Sequence, residues 1–193
     1  MELRASRVTE ILEKIRSGYE MDVELATQVF APQRPLPKRS QRLRFWLSLL
    51  GMDLPFLSFF SRRMVKKMLP FANCEFVPGF RCLFGNIASV GSSLHDACFV
   101  DYAPIYIGSG AGFSYQNMVI TSTHDMSDFK SVITREIVIG ENVWITSRVI
   151  ILPGVHIGRN SVIGAGSVVS RDIPPDSFAA GNPARAIKKV KRG

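Results

Sequence analysis

Only three side chains of this 193-residue chain titrate near neutrality unaided, the histidines His95, His124 and His156. A neutral imidazole within hydrogen-bond reach can take the proton of a hydroxyl, a poor nucleophile at neutral pH, as that hydroxyl attacks a carbonyl. The three stand 29 and 32 residues apart with no close pair, which is not the spacing of a zinc site. No Ser-His-Asp or Cys-His motif is evident from the sequence. The three cysteines, Cys74, Cys82 and Cys98, are odd in number and lack C-x-x-C spacing. They are expected to be reduced and buried, which favours the cytoplasm.

A repeat positions the histidines. From Ile139 an aliphatic residue recurs every sixth position, at Ile145, Ile151, Ile157, Ile163 and Val169, and Ile137, Val143, Val149 and Val155 echo it. Neither a helix nor a flat strand has that period. A six-residue repeat is the signature of a parallel β-helix, each hexapeptide one short strand and a turn, three to a triangular coil. The column residues should point inward. Gly140, Gly158 and Gly164, which follow the anchor, should supply positive φ at the corners. Ile107, Phe113 and Val119 extend the register upstream, and Glu75 to Gly91 reads as the first, irregular coils. Roughly 110 residues at about 18 per coil would make about six coils.

The register fails between Ile120 and Glu136, so a loop over 120–136 is expected to leave the prism, carrying His124 and Asp125. Asp125 either orients the imidazole or closes an Asx turn. His95 falls in the irregular coils, where it is structural or lines a binding groove. His156 alternates outward into solvent.

Ile139-Gly-Glu-Asn-Val-Trp-Ile145, Ile151-Leu-Pro-Gly-Val-His-Ile-Gly158, Val162-Ile-Gly-Ala-Gly-Ser-Val-Val169, Asp172-Ile-Pro-Pro175 and Ala180-Gly-Asn-Pro-Ala-Arg185 together resemble the hexapeptide-repeat O-acetyltransferases that use acetyl-CoA. Asp101-Tyr-Ala-Pro-Ile-Tyr-Ile-Gly108 and Thr123-His-Asp125 are similar to the members serving bacterial polysaccharide synthesis, with the galactoside and maltose acetyltransferases as relatives. The resemblance covers about residues 76–190. It implies a mainly β fold, a left-handed parallel β-helix over 71–193; residues 1–70 contribute nothing to the resemblance and read as an N-terminal helical, basic-aromatic appendage. The flat sides of such a prism and the His124 loop would need a neighbour to close a groove, so a homotrimer with active sites between subunits is expected, and the histidine spacing leaves no metal site expected.

The activity implied is transfer of acetyl from acetyl-CoA, a co-substrate, to a hydroxyl of a sugar or glycan acceptor in a capsule, lipopolysaccharide or exopolysaccharide precursor. His124 matches the family's catalytic histidine. On the acceptor side the resemblance implies Asp101 and, more loosely, Asp96, while Leu94 stands where relatives carry an Asn. On the CoA side it implies Ser147 and Ala165, one coil apart, with Gly164 beside the pantetheine arm and Trp144 flanking it or covering an outer face. Arg171 and Arg185 match basic positions near the CoA phosphates, where guanidinium forks suit anionic oxygens. Thr146 replaces the glycine usual after the Trp-Ile pair. N-acetylation of an amino-sugar nucleotide would use the same base and groove, whereas a noncatalytic trimeric scaffold would bind no CoA.

The net charge of +8 is concentrated. Nine basic residues against one acidic lie between Arg34 and Lys67, leaving fifteen of each sign elsewhere. Upstream, Leu3, Val8, Ile11, Leu12 and Ile15 fit an amphipathic helix, and three prolines within 31–37 mark an extended linker. No apolar signal segment opens the chain. The aromatic run from Phe45 to Phe60 is shorter than the about 20 residues a spanning helix needs and contains Asp53 and Pro55. Two readings of residues 42–67 follow: helices packed on the prism or a neighbouring subunit, or peripheral association with the inner face of the cell membrane. No nucleic-acid recognition module accompanies the charge.

Overall fold

The computed structural model describes residues 38–52, 55–69, 72–75, 77–129 and 131–190. The helix expected over residues 3–15 and the linker at 31–37 lie outside them.

Two helices open the described chain, α1 (Lys38–Leu50) and α2 (Pro55–Met68). Gly51 ends the first, its amide donating to Leu47 O at 3.2 Å. Pro55 starts the second, where its fixed φ and missing N–H cost nothing. Leu43, Leu47 and Leu50 recur at i, i+4 and i+7 and, with Val65 and Leu69, join the buried core of the prism. The Arg39 guanidinium donates to Met68 O at 3.2 Å, satisfying a carbonyl at the end of α2.

The rest is a three-faced stack of parallel coils. The chain visits the first face through β2 (Arg81–Cys82), β4 (Cys98–Val100), β7 (Met118–Ile120), β12 (Ile150–Ile151) and β15 (Val168–Val169). It visits the second through the start of β3 (Ile87–Ser93), then β5 (Ile105–Ile107), β10 (Ile137–Ile139) and β13 (His156–Ile157). The third face runs from the end of β3 through β6 (Gly112–Phe113), β11 (Trp144–Ile145), β14 (Val162–Ile163) and β16 (Ser177–Gly181). At one end β1 (Ala72–Glu75) pairs with β3, and at the other β17 (Ala184–Lys189) folds back antiparallel on β16.

Both sequence columns face inward. Anchors pair with the anchor one coil on, Ile139 with Ile157, Ile145 with Ile163 and Ile151 with Val169, and none is more than 2% exposed. Burying each such side chain is worth about 1.5–3 kcal/mol, which fixes the register. In the first coils aromatic rings take places in the core, with Phe99 against Phe80 at 5.6 Å and against Phe113 at 5.9 Å.

Three expectations change. The first face holds five strands, so the prism has about five coils and not six, because the segment after β7 and the final hairpin consume residues outside the stack. The glycine after each anchor is required by crowding rather than by φ: a Cβ on Gly108 would sit 2.6 Å from Glu141 N, and one on Gly140 would sit 2.6 Å from Arg159 N. Positive φ falls three residues after the anchor, at Gln116, Asn142, Arg148, Gly154, Asn160 and Gly166. Finally, the expected loop is a β-hairpin, β8 (Ser122–His124) antiparallel to β9 (Val132–Thr134). The cysteine thiols are free, and burial pushes Cys74 up to about 12 and Cys82 well above its ordinary value.

Candidate active site

The hairpin that carries His124 grows from a pinned base. Thr121 is buried, its hydroxyl donating to Val100 O at 3.0 Å and accepting from Ala103 N at 2.8 Å, while Arg135 N donates to Thr121 O at 2.8 Å. The Thr121 hydroxyl thus ties the base of the hairpin to the coil before it, and its carbonyl joins the two flanks of the register break. From there the antiparallel pair lifts His124, opposite Val132, to an exposed position. The imidazole lines a small cavity of about 110 Å³ with Tyr102, Ser122, Thr123 and Val132. Met126 and Phe129, at the tip, are both exposed.

Asp125 takes the turn alternative. Its Oδ1 accepts from Ser127 N at 2.8 Å and from Ser127 Oγ at 2.6 Å, and these bonds hold the carboxyl below its ordinary value. The Asp125 carboxylate thus closes the turn through Ser127.

Asp101, expected at the acceptor, is fully buried. Its Oδ1 accepts from Leu83 N at 2.7 Å and Phe84 N at 3.0 Å, and its Oδ2 from Gly85 N and Asn86 N, each at 2.6 Å. Four amides consume both oxygens, leaving none for a sugar hydroxyl. Burial pushes the carboxyl up to about 6 while the amides pull it down. This nest shapes the corner that presents Tyr102, whose ring stacks edge-on against Phe84 at 4.9 Å and lines the His124 cavity. Sequence reasoning did not single out Tyr102; its only signal was its place directly after the nested aspartate.

Asp96 is also committed, with Oδ1 accepting from Gln116 N at 2.7 Å in the next coil. His95, at φ 43°, has Nδ1 2.5 Å from Phe113 O and 3.2 Å from Ser93 Oγ. A carbonyl can only accept, so Nδ1 carries a proton in this contact. The ring leans on Tyr115 with centroids 5.1 Å apart.

The expected CoA residues divide between two regions. Ser147 and Ala165 lie at successive corners leading into the first face, stacked through Gly166 N donating to Ser147 O at 3.0 Å, on the same edge as His95 and Tyr115. The amides of Gly164 and Gly166 are both spent within the stack, and Gly164 is buried where a Cβ would meet Ala180 Cβ at 2.8 Å. Gly164 is thus a packing glycine. At Gly166 a Cβ would meet nothing within 4 Å, so the surface beside Ala165 is open to an extended ligand arm. The Thr146 hydroxyl donates to Ile163 O at 2.6 Å, leaving its methyl as the feature a ligand would meet. Trp144 is exposed on the third face, beside a groove of about 500 Å³ shared with Gly91, Ser92, Gly110 and Asn142. Arg185 sits exposed on β17, donating from Nη1 to Ala184 O, while exposed Arg171 follows β15 on the edge leading out of the first face. That outgoing edge is where the His124 hairpin emerges. Within one chain, His124 and the Ser147–Ala165 row therefore stand on opposite edges of one face.

The bacterial transferase hexapeptide (six repeats) family model matches residues 136–171. Galactoside O-acetyltransferase of Lactococcus lactis is 36% identical over 126 residues, covering 61% of this chain and 61% of that enzyme's length. A maltose O-acetyltransferase structure from Clostridium difficile superposes with a TM-score of 0.75 at 30% identity, over 89% of this chain and 98% of that one. A hexapeptide-repeat acetyltransferase of Vibrio cholerae, solved with acetyl coenzyme A, gives a TM-score of 0.71 at 28% identity, over 80% and 88% of the two chains.

Proposed function

The chain belongs to the hexapeptide-repeat acetyltransferases, and on that premise we propose that it moves the acetyl group of acetyl-CoA to a hydroxyl of a sugar in a cell-surface polysaccharide or its precursor. The observation that carries this reading is the exposed imidazole of His124, lifted off the prism by the hairpin that interrupts the coils, beside a cavity with an aromatic wall. His124 takes the proton of the acceptor hydroxyl as its oxygen attacks the thioester carbonyl. The tetrahedral adduct collapses with cleavage of the carbon–sulfur bond, and the imidazolium returns the proton to the departing thiolate. Proton transfer contributes about 10² to 10⁴-fold, so positioning and oxyanion donors supply the remainder.

The working unit is a homotrimer. Base and CoA row occupy opposite edges of one face, so a neighbour's edge laid against the hairpin brings them together, and exposed Met126 and Phe129 give that neighbour apolar surface to cover. Ser147, Ala165, Trp144, Arg171 and Arg185 are the residues proposed to meet the CoA.

Mass analysis of products after offering acetyl-CoA with sugar nucleotides and lipid-linked glycans tests the reading. An alkali-labile acetyl ester on a glycan supports it. An alkali-stable amide would assign N-transfer, and no product with no CoA binding would leave a scaffold.

A further inference from the structure

The helical hairpin turns its aromatic rings away from the protein. α1 and α2 hold the prism through Leu43, Leu47, Leu50, Val65 and Leu69, whereas Phe45, Met52, Phe56, Phe59 and Phe60 are each between 46% and 76% exposed. On α2, Phe56, Phe60, Arg63 and Lys67 follow i, i+4, i+7 and i+11 on one stripe, with Phe59, Arg62 and Lys66 beside it and buried Ser61 and Val65 opposite. The rings gather next to the interhelix turn, Phe56 edge-on to Phe60 at 5.1 Å and Phe59 edge-on to Phe60 at 5.9 Å. The cations follow on the last two turns. None of these four has an acidic partner among the described residues, and the chain's whole excess of positive charge falls in this region.

An exposed aromatic cluster with a cationic flank asks for a partner that is apolar within and anionic at its surface. A second copy of the same face fits badly, because a two-fold pairing would set cation against cation. No described helix is long and apolar enough to cross a membrane, so the hairpin can only lie at a surface. We infer that this face docks on an anionic lipid bilayer, the rings of Phe56, Phe59 and Phe60 entering the headgroup region while Arg62, Arg63, Lys66 and Lys67 meet lipid phosphates. The inference is independent of the reaction proposed for His124.

Flotation of the full-length chain with phosphatidylglycerol/phosphatidylcholine vesicles and with phosphatidylcholine alone decides the matter. Binding is expected only with the anionic vesicles, at about 0.05 M salt, and should be lost at about 0.5 M, where screening shortens electrostatic reach severalfold. Changing Arg62, Arg63, Lys66 and Lys67 together to Gln should weaken partitioning by about tenfold or more. The triple variant Phe56→Ser, Phe59→Ser, Phe60→Ser should abolish it. Because these side chains are already exposed, both variants should keep the wild-type melting temperature and oligomer size. Absence of flotation at low salt overturns the inference. So does binding that survives both variants, and so does a change of oligomer size in the serine variant, which would make the face a subunit interface.

Discussion

The coils from residue 137 to 169 and the stretch from 72 to 136 are built on the same three-faced plan and spend their residues differently. In the regular coils every sixth side chain is core, the glycines that follow an anchor at Gly140, Gly158 and Gly164 are crowded by neighbouring chain, and the corner takes a left-handed residue. That region offers an open edge at Ser147 and Ala165, and its one histidine, His156, faces solvent. In the earlier stretch polar groups take over the corners: Asp101 gathers four amides, Asp96 holds the next turn, Thr121 pins the hairpin base and His124 stands clear of the stack. A solenoid's stability is shared among neighbouring coils. An irregular coil can therefore carry a site while regular ones below it hold the register.

The sharpest way to break this contrast is to make one substitution in both regions. His124→Ala should lower kcat by about 10² to 10⁴-fold, leaving CoA affinity and melting temperature near wild type, since the residue sits on an exposed hairpin. His156→Ala should be nearly silent in the same assay. Equal losses in the two variants, or a drop below about tenfold for His124, would remove the base from the irregular region.

Asp101→Asn tests the corner itself. Whichever way the amide is turned, its nitrogen faces two backbone donors it cannot accept from, so a loss of about 3 kcal/mol is expected in denaturant unfolding. The pH dependence carries its own sign. The folded carboxyl is raised to about 6, above its ordinary 3.8, so the folded state holds the extra proton between those values. This group's contribution is full below about pH 4 and falls as pH rises through 6. Subtracting the variant's stability curve from the wild type's across that window should expose the slope. A flat difference would mean that the four amides outweigh burial.

Periodicity made the core legible: both inward columns, the stacking by eighteen residues and the break over 120–136 follow from hydrophobic spacing, because burial enforces it. What period could not convey was which neighbour a polar residue would meet. Asp101 and Asp96 looked like ligand contacts, yet both answer backbone amides brought from another coil, and such pairings depend on the rise of the stack rather than on local sequence. The glycine after the anchor was legible as special and misread in cause, since crowding by the next coil and positive φ both select glycine. The hairpin's strands were hidden for a different reason: Ser122–His124 is too short and polar to show alternation, and its pairing is read only across the turn.

Gly140→Ala sharpens that distinction. If crowding is the cause, one methyl forces two coils apart and should cost about 1–3 kcal/mol, although the backbone there suits any residue. Gly91→Ala makes the contrast, since it has positive φ and nothing within 4 Å of an added Cβ; it should lose only about 1 kcal/mol, from conformation alone. The ordering Gly140 above Gly91 in urea midpoint is the readout. Its reversal would return the glycine column to a conformational role.

The smallest effect belongs to the asparagine ladder at the corner between the second and third faces. Asn142 Nδ2 donates to Asn160 Oδ1 at 3.3 Å, and Asn160 Nδ2 donates to Asp176 Oδ1 at 2.8 Å, all three residues at positive φ. Asn tolerates that conformation better than most side chains, and the ladder adds hydrogen bonds that are exposed or half-buried and so worth little each. Asn160→Gly keeps the conformation and removes the ladder, so about 0.5 kcal/mol should be lost. Asn160→Ala removes both, raising the loss to about 1–2 kcal/mol. The difference between the two variants isolates the backbone contribution, and the loss in the glycine variant isolates the side-chain bonds. Equal losses would place the whole effect in the ladder, making the regular corners depend, like the irregular ones, on polar pairing between coils.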